Sequence, residues 1–181
     1  MLSLKTYPNT NDLSDIRLQA DLNLISTDSF ELNFKWVDLK NEIVFNQGQA
    51  AKRQMGLWQH TCFEAFIKPI QAFSTTNYYE VNFSDSGAWN IFHFTNYREP
   101  QPPQELSKAD LVCIDVQKNV NGGLAKAIFK IKDANFQQVQ ISLCAVIVTK
   151  NLGTTYWSFK HADSKPNFHH FESFIIERSM T

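Results

Sequence analysis

The chain reads as an all-β protein, an antiparallel β-sandwich of jelly-roll type, on three observations. Apolar residues alternate with polar ones at period two in the N-terminal third. Short β-patterned segments then recur between turn signals, and no stretch carries a convincing helical period. In Ile16-Arg-Leu-Gln-Ala-Asp-Leu-Asn-Leu24 every even position is apolar and every odd position after it is polar. Phe30-Glu-Leu-Asn-Phe-Lys-Trp36 repeats the pattern. Both are half-buried antiparallel strands, and Thr27-Asp-Ser29 between them reads as a hairpin turn.

Asp38-Leu-Lys-Asn41 turns the chain into a short strand around 43–45, and 46–55 is polar, a loop or a single helical turn. Strands are predicted near 60–68, 77–84, 87–95, 111–118, 123–131, 139–149, 154–159 and 173–178. Asn119-Val-Asn-Gly-Gly123 supplies the positive φ of a hairpin. Arg98-Glu-Pro-Gln-Pro-Pro-Gln104 is a loop, because proline cannot donate to a sheet ladder. The stretch from Ser158 to Phe171 is a strand end followed by a long polar loop. The 181 residues, 1–181, are expected to form one sandwich domain.

The composition is 43% hydrophobic and 13% aromatic, with 15 Phe, enough for a core without disulfide staples. The net charge of −1 and the lack of a basic stripe argue against nucleic acid as a partner. No apolar run has the length of a membrane span, and the first residues lack a signal-peptide pattern. Cys62, Cys113 and Cys144 are odd in number, widely spaced and set in apolar segments. They read as buried free thiols of a reducing compartment, and the expected location is the cytoplasm.

Strand parity sorts the central block by face. His60, Cys62, Glu64 and Phe66 share one face, and Phe63, Ala65 and Ile67 the other. Tyr79, Val81 and Phe83 form an apolar set, with Tyr78, Glu80, Asn82 and Ser84 opposite. Trp89, Ile91 and His93 oppose Asn90, Phe92 and Phe94. Glu64 stands among apolar neighbours and needs a partner to offset its desolvation, for which Arg98, Lys165 or a ligand hydroxyl are candidates. The alternative is a Glu exposed on the outer face or paired structurally. Trp58, Trp89, Trp157 and Tyr97, with Glu64, Asn82, Arg98 and His161, form the kind of set that stacks on sugar rings and holds their hydroxyls. Each Trp taken singly has core packing as its alternative. Trp36 is the plain core case, and Trp58, beside Gly56 before a strand, is the strongest ligand candidate.

Chemistry beyond binding is thinly signalled. There is no G-x-S-x-G, Walker, G-x-G-x-x-G or H-E-x-x-H pattern, so no catalytic residue is assigned. Cys62 and His60 lack a third, orienting group. Glu64 and Glu80 are a possible carboxylate pair for glycoside hydrolysis. His161, His169, His170 and Asp163 do not follow a zinc spacing, and the adjacent histidines should diverge on an extended chain.

The blocks Leu57-Trp-Gln-His-Thr-Cys-Phe-Glu64, Tyr79-Glu-Val-Asn-Phe-Ser84 with Gly87 and Trp89, Tyr97-Arg98, and Trp157 through His161 to Lys165-Pro-Asn-Phe-His-His170 carry a resemblance. They resemble bacterial DOMON-like proteins of the subgroup labelled MurB-like, which are related to family 9 carbohydrate-binding modules. No flavin-binding pattern accompanies that label. The resemblance implies a β-sandwich that binds a sugar or, in the cytochrome-type relatives, a haem. Trp58 would form a wall of the site, Glu64 and Asn82 would bind hydroxyls, Arg98 and Lys165 would be charged partners, and His161 would stand at the mouth. Glu80 departs from the pattern, since those modules carry an arginine there. Trp157 or Trp89 is left to supply the second wall. The expectation is non-catalytic binding of a carbohydrate or related small polar ligand, without a cofactor. The alternatives are a haem domain, with Met55 and one of His93, His161, His169 or His170 as axial ligands, and a sugar-acting enzyme using Glu64.

Overall fold

Two antiparallel sheets packed face to face account for the alternation. The computed structural model describes residues 1–7, 13–46, 52–70 and 76–180. The first sheet joins β1 (Leu2–Ser3), β3 (Ile16–Ser26), β4 (Ser29–Asp38), β9 (Gly122–Ile131) and β8 (Ala109–Asn119), in that order. The second runs β2 (Lys5–Thr6), β11 (Gly153–Ser158), β10 (Gln138–Thr149), β5 (Cys62–Pro69), β6 (Tyr78–Phe83) and β7 (Trp89–Phe94), with β12 (Ile176–Ser179) also pairing β10. The first residues cross between the sheets, because Ser3 pairs β3 while Lys5 pairs β11. Buried Leu4 packs into the core between them.

The core lies between the inner faces, as the parity of the sequence requires. Leu18, Leu22, Phe30, Phe34, Trp36 and Phe129 come from the smaller sheet, and Phe63, Val81, Phe83, Ile91, Leu143 and Trp157 from the larger. Ring centroids of Phe34 and Phe63 are 5.0 Å apart, and those of Phe34 and Phe83 are 5.8 Å apart, so aromatic contacts stitch the sheets together. Gly123 is needed where the hairpin sequence puts it. A Cβ there would stand 2.3 Å from the Trp36 ring and 2.4 Å from a backbone oxygen.

Two expectations are corrected. Residues 43–45 make no strand, only an isolated bridge from Ile43 to Thr149, because Asp38 binds the amides of Glu42 and Ile43 and sets a turn instead. The polar stretch 46–55 falls partly outside the described residues; its described part is loop, and a turn of 3-10 helix follows at Leu57–Gln59. Cys113 is exposed while Cys62 and Cys144 are buried. A register shift between Leu111 and Cys113 inserts an extra residue into edge strand β8, so the inward positions become Ile114 and Val116. The short strands β1 and β2 carry too few residues for a period to show.

Candidate functional site

The outer face of the larger sheet is buried, and it is not apolar. The registers place Ser158, Cys144, Glu64, Asn82 and Asn90 in one continuous row from β11 to β7, and all five are buried. Beside this row runs an aromatic cluster of Phe66, Tyr78, Phe92, Phe94 and Phe174, against which Trp58, Phe168 and Phe171 pack. The segment 159–175 closes over this face after β11 before the chain re-enters the sheet as β12. A buried polar row of this kind costs stability unless each group finds a partner.

Between the sheet and its cover lies a cavity of about 370 Å³. Glu64, Phe66, Glu80 and Val146 contribute from the sheet. Trp58 and Tyr156 stand beside them, and Phe168 and His169 come from the cover. Arg98, Gln101 and Pro103 contribute from the proline-rich loop. A larger concavity of about 800 Å³ opens by Leu4, Trp36 and Trp157, but its charged lining is the solvent-facing Lys5, Arg17 and Lys35. Convergence of buried ionisable groups and aromatics marks the smaller cavity as the candidate site.

The carboxyls are the centre of its electrostatics. Glu64 is 3% exposed, and its Oε1 has no hydrogen-bond partner. Burial, reinforced by the neighbouring Glu80, pushes its pKa well above the ordinary carboxylate range. Burial also pushes Glu80 up to about 7, against the lowering effects of Asn82 and Arg98. Asn82 Nδ2 donates to Glu80 Oε1 at 2.7 Å, and Asn82 Oδ1 is left buried and unpartnered.

His169 bridges the sheet to the cover. Its Nδ1 lies 2.7 Å from the Tyr78 hydroxyl, which also accepts from the Arg98 amide at 3.1 Å. The Tyr78 hydroxyl and His169 Nδ1 thus share a hydrogen bond, and the other ring nitrogen, Nε2, lies 3.6 Å from Glu80 Oε2. Burial, with the Arg98 charge adding to it, lowers the His169 pKa to about 3. The contact with Glu80 is therefore one between a neutral imidazole and a carboxyl, not an ion pair. Burial raises the Tyr78 hydroxyl to about 12, so it stays protonated. Arg98 holds φ at 54°, in the left-handed region, where its amide meets Tyr78. Its guanidinium reaches Asn167 Oδ1 at 3.4 Å.

The residues singled out from the sequence divide cleanly. Trp58, Glu64 and Arg98 line the cavity, and Asn82 lies in the polar row under it. His161 stands elsewhere, its Nε2 2.9 Å from the Lys5 carbonyl and its ring edge-on to Tyr7. Lys165 is exposed and does not line the cavity. Neither Arg98 nor Lys165 forms an ion pair with Glu64 among the described residues. Trp157 and Trp89 are in the core between the sheets. Tyr156 and Phe168 stand in the cavity wall. Parity could have found Tyr156, since it is the outward neighbour of Trp157, whereas no local pattern marks Phe168.

Of the residues considered for haem, Met55 is 45% exposed, with its sulfur 3.6 Å from Asn90 Nδ2. Among the described residues His169 is the one histidine of the cavity lining, which includes no methionine. A Met–His axial pair therefore does not fit this cavity as it stands. His169 and His170 diverge, the latter turning to accept from the Glu172 amide at 3.3 Å. Among the described residues no cluster of three His, Cys, Asp or Glu is placed to hold a metal ion.

No protein-family model matches the chain, and no curated protein matches its sequence. Solved structures do. A Bacteroides uniformis protein, provisionally assigned as carbohydrate-binding, superposes with a TM-score of 0.57 at 12% identity, over 93% of this chain and 82% of its own. A family 9 carbohydrate-binding module from Caldicellulosiruptor kristjanssonii, in complex with glucose, superposes with a TM-score of 0.53 at 8% identity, over 96% and 81%. The shared feature is the fold. It is an antiparallel β-sandwich like theirs. At these identities no residue role passes from one protein to the other.

Proposed function

We propose that this protein is a non-catalytic binding domain that takes a saccharide, or a related small polar ligand, in the cavity over the larger sheet. Glu64 carries the proposal: a buried carboxyl lining an aromatic-walled cavity, with one oxygen left without a partner. Groups of this kind persist where a ligand completes them. Trp58, Tyr156 and Phe168 offer rings for the C–H faces of a sugar, and Arg98, Glu80 and His169 offer polar atoms at the same wall. Likeness in fold to a glucose-bound module supports the ligand class. The sequence blocks support placement among DOMON-like proteins, and the three unpaired cysteines support a reducing compartment such as the cytoplasm.

Calorimetric titration with a panel of neutral saccharides tests this. Binding to at least one sugar is expected, weakened about tenfold or more by Trp58→Ala. No heat from any sugar, at concentrations that saturate ordinary carbohydrate-binding modules, would sink it.

One observation favours a second function, a sugar-acting enzyme. Glu80, with its pKa near 7 and a histidine 3.6 Å away, is poised as a general acid or base at neutral pH. Turnover of nitrophenyl glycosides that vanishes in both Glu64→Gln and Glu80→Gln is the outcome that would establish it, and absence of turnover removes it.

A further inference from the structure

The unsatisfied polar atoms beneath the cavity are both oxygens. Glu64 Oε1 and Asn82 Oδ1 lack partners, and their residues face each other across β5 and β6. The Asn82 amide donates to Glu80, so that donor is already used by a second carboxyl. Acidic groups also outnumber cations. Glu64 and Glu80 both line the cavity, with Arg98 as the single cation among its described lining residues. Arg98 makes its guanidinium contact with Asn167 on the cover rather than with either carboxyl. The walls are aromatic, and the ring faces of Trp58 and Tyr156 attract cations.

We propose that the cavity selects an amino sugar, a saccharide carrying a protonated amine, with the ammonium placed over Glu64 and Glu80. The proposal deepens, and rests on, the saccharide reading above. An ammonium presents three donors and no acceptor, which suits a floor whose unpartnered atoms are a carboxyl and an amide oxygen. A neutral hydroxyl brings one hydrogen and no charge to balance the two carboxyls. Rotation about the terminal torsion of Glu64, which is broad and two-fold, turns the unpartnered oxygen toward the ligand.

The charge balance is explicit. In the free protein burial keeps Glu64 as the acid and Glu80 divided near neutral pH. When the ammonium enters, Glu64 gives its proton to solvent and becomes the counter-ion. Binding therefore releases protons, while binding of a neutral sugar does not.

Titration with D-glucosamine, D-glucose and N-acetyl-D-glucosamine at pH 6.5 is the test. A sugar amine resembles an α-amino group, with a pKa of about 7.7–8.0, and is charged at that pH. Glucosamine should bind about tenfold tighter than glucose. The N-acetylated sugar should lose that advantage. Repeating the titration in buffers of different ionisation enthalpy should show release of up to about one proton per glucosamine. In Glu64→Gln the preference should fall to near unity, with glucose binding retained. Glucosamine binding no tighter than glucose, or a preference unchanged in Glu64→Gln, overturns the inference and leaves saccharide binding standing. If none of the three sugars nor any other saccharide binds, the saccharide reading falls, and this inference with it. The wild-type comparison and the proton count need no variant, so a Glu64→Gln protein that fails to fold leaves both measurements decisive.

Discussion

The outer faces of the two sheets follow the same alternation and arrive at opposite chemical states. On the smaller sheet the outward positions meet water. Despite partial burial, Asp21 is held below the usual carboxylate range by Arg178 and the N-terminal amine, and Glu31 by Asn33 and Lys126. In the β3–β4 turn the Ser26 and Ser29 hydroxyls lower Asp28 to about 2. On the larger sheet the outward positions lie under the 159–175 segment, and burial raises Glu64 and Glu80 instead. Alternation in a strand says which residues share a face, and the cover decides what that face can do. A carboxylate in water with partners is held charged, whereas the same group under a lid is held as an acid until something joins it.

Three measurements would break or sharpen that contrast. The largest effect is expected from Tyr78→Ala. Its ring stacks 4.9 Å from Phe94 and meets Phe171 and Phe174, and its hydroxyl ties His169 to the sheet. Truncation should cost about 3–5 kcal/mol in chemical denaturation. A loss below about 1 kcal/mol would mean that the cover is not part of the cooperative unit.

Stability against pH comes next, with signs that separate the faces. Glu80 binds its proton more tightly folded than unfolded, so it makes the ligand-free protein lose stability as pH rises from 4.5 to about 7. Glu64 acts in the same direction. Asp28 acts in reverse, its contribution present above pH 3.8 and lost as pH falls through about 2. His169, lowered from 6.5 to about 3, also removes stability on acidification and partly masks the gain from Glu80. Comparing wild type with Glu80→Gln isolates the carboxyl: the stability difference should shift against wild type as pH rises from 4.5 to 7. A flat difference would show that Glu80 is not buried as an acid.

The smallest effect is expected on the solvated face. Lys126 pairs with Glu31 there and is 40% exposed. Lys126→Ala should cost less than about 1 kcal/mol, and that small cost should shrink further in high salt. A salt-insensitive cost of several kcal/mol would erase the distinction between the faces.

Much of this architecture is legible in the residues themselves. Period two from Ile16 to Leu24 and from Phe30 to Trp36 marks two half-buried strands, and the Asn-Gly-Gly signal places the β8–β9 hairpin at Val120-Asn121. Parity also puts Glu64 with Phe66, and Glu80 with Asn82, on faces turned away from the apolar core. These features are local: side-chain direction and turn geometry are set within a few residues, and the chain records them directly.

What lies above those faces is not local. The bond from Tyr78 to His169 joins residues 91 apart. Phe168 enters the cavity wall, and His161, eight positions after Gly153 at the start of β11, is drawn instead to the Lys5 carbonyl beside the N-terminal strands. A single extra residue in β8 turns Cys113 outward against the pattern of its neighbours. The sequence by itself determined the longer strands, most of their inward faces and the sandwich. Tertiary structure alone decided that one outer face would be covered, because register and loop docking depend on packing between distant segments. That cover is what turns Glu64 from an ordinary surface acid into a buried one with an oxygen still waiting for a partner.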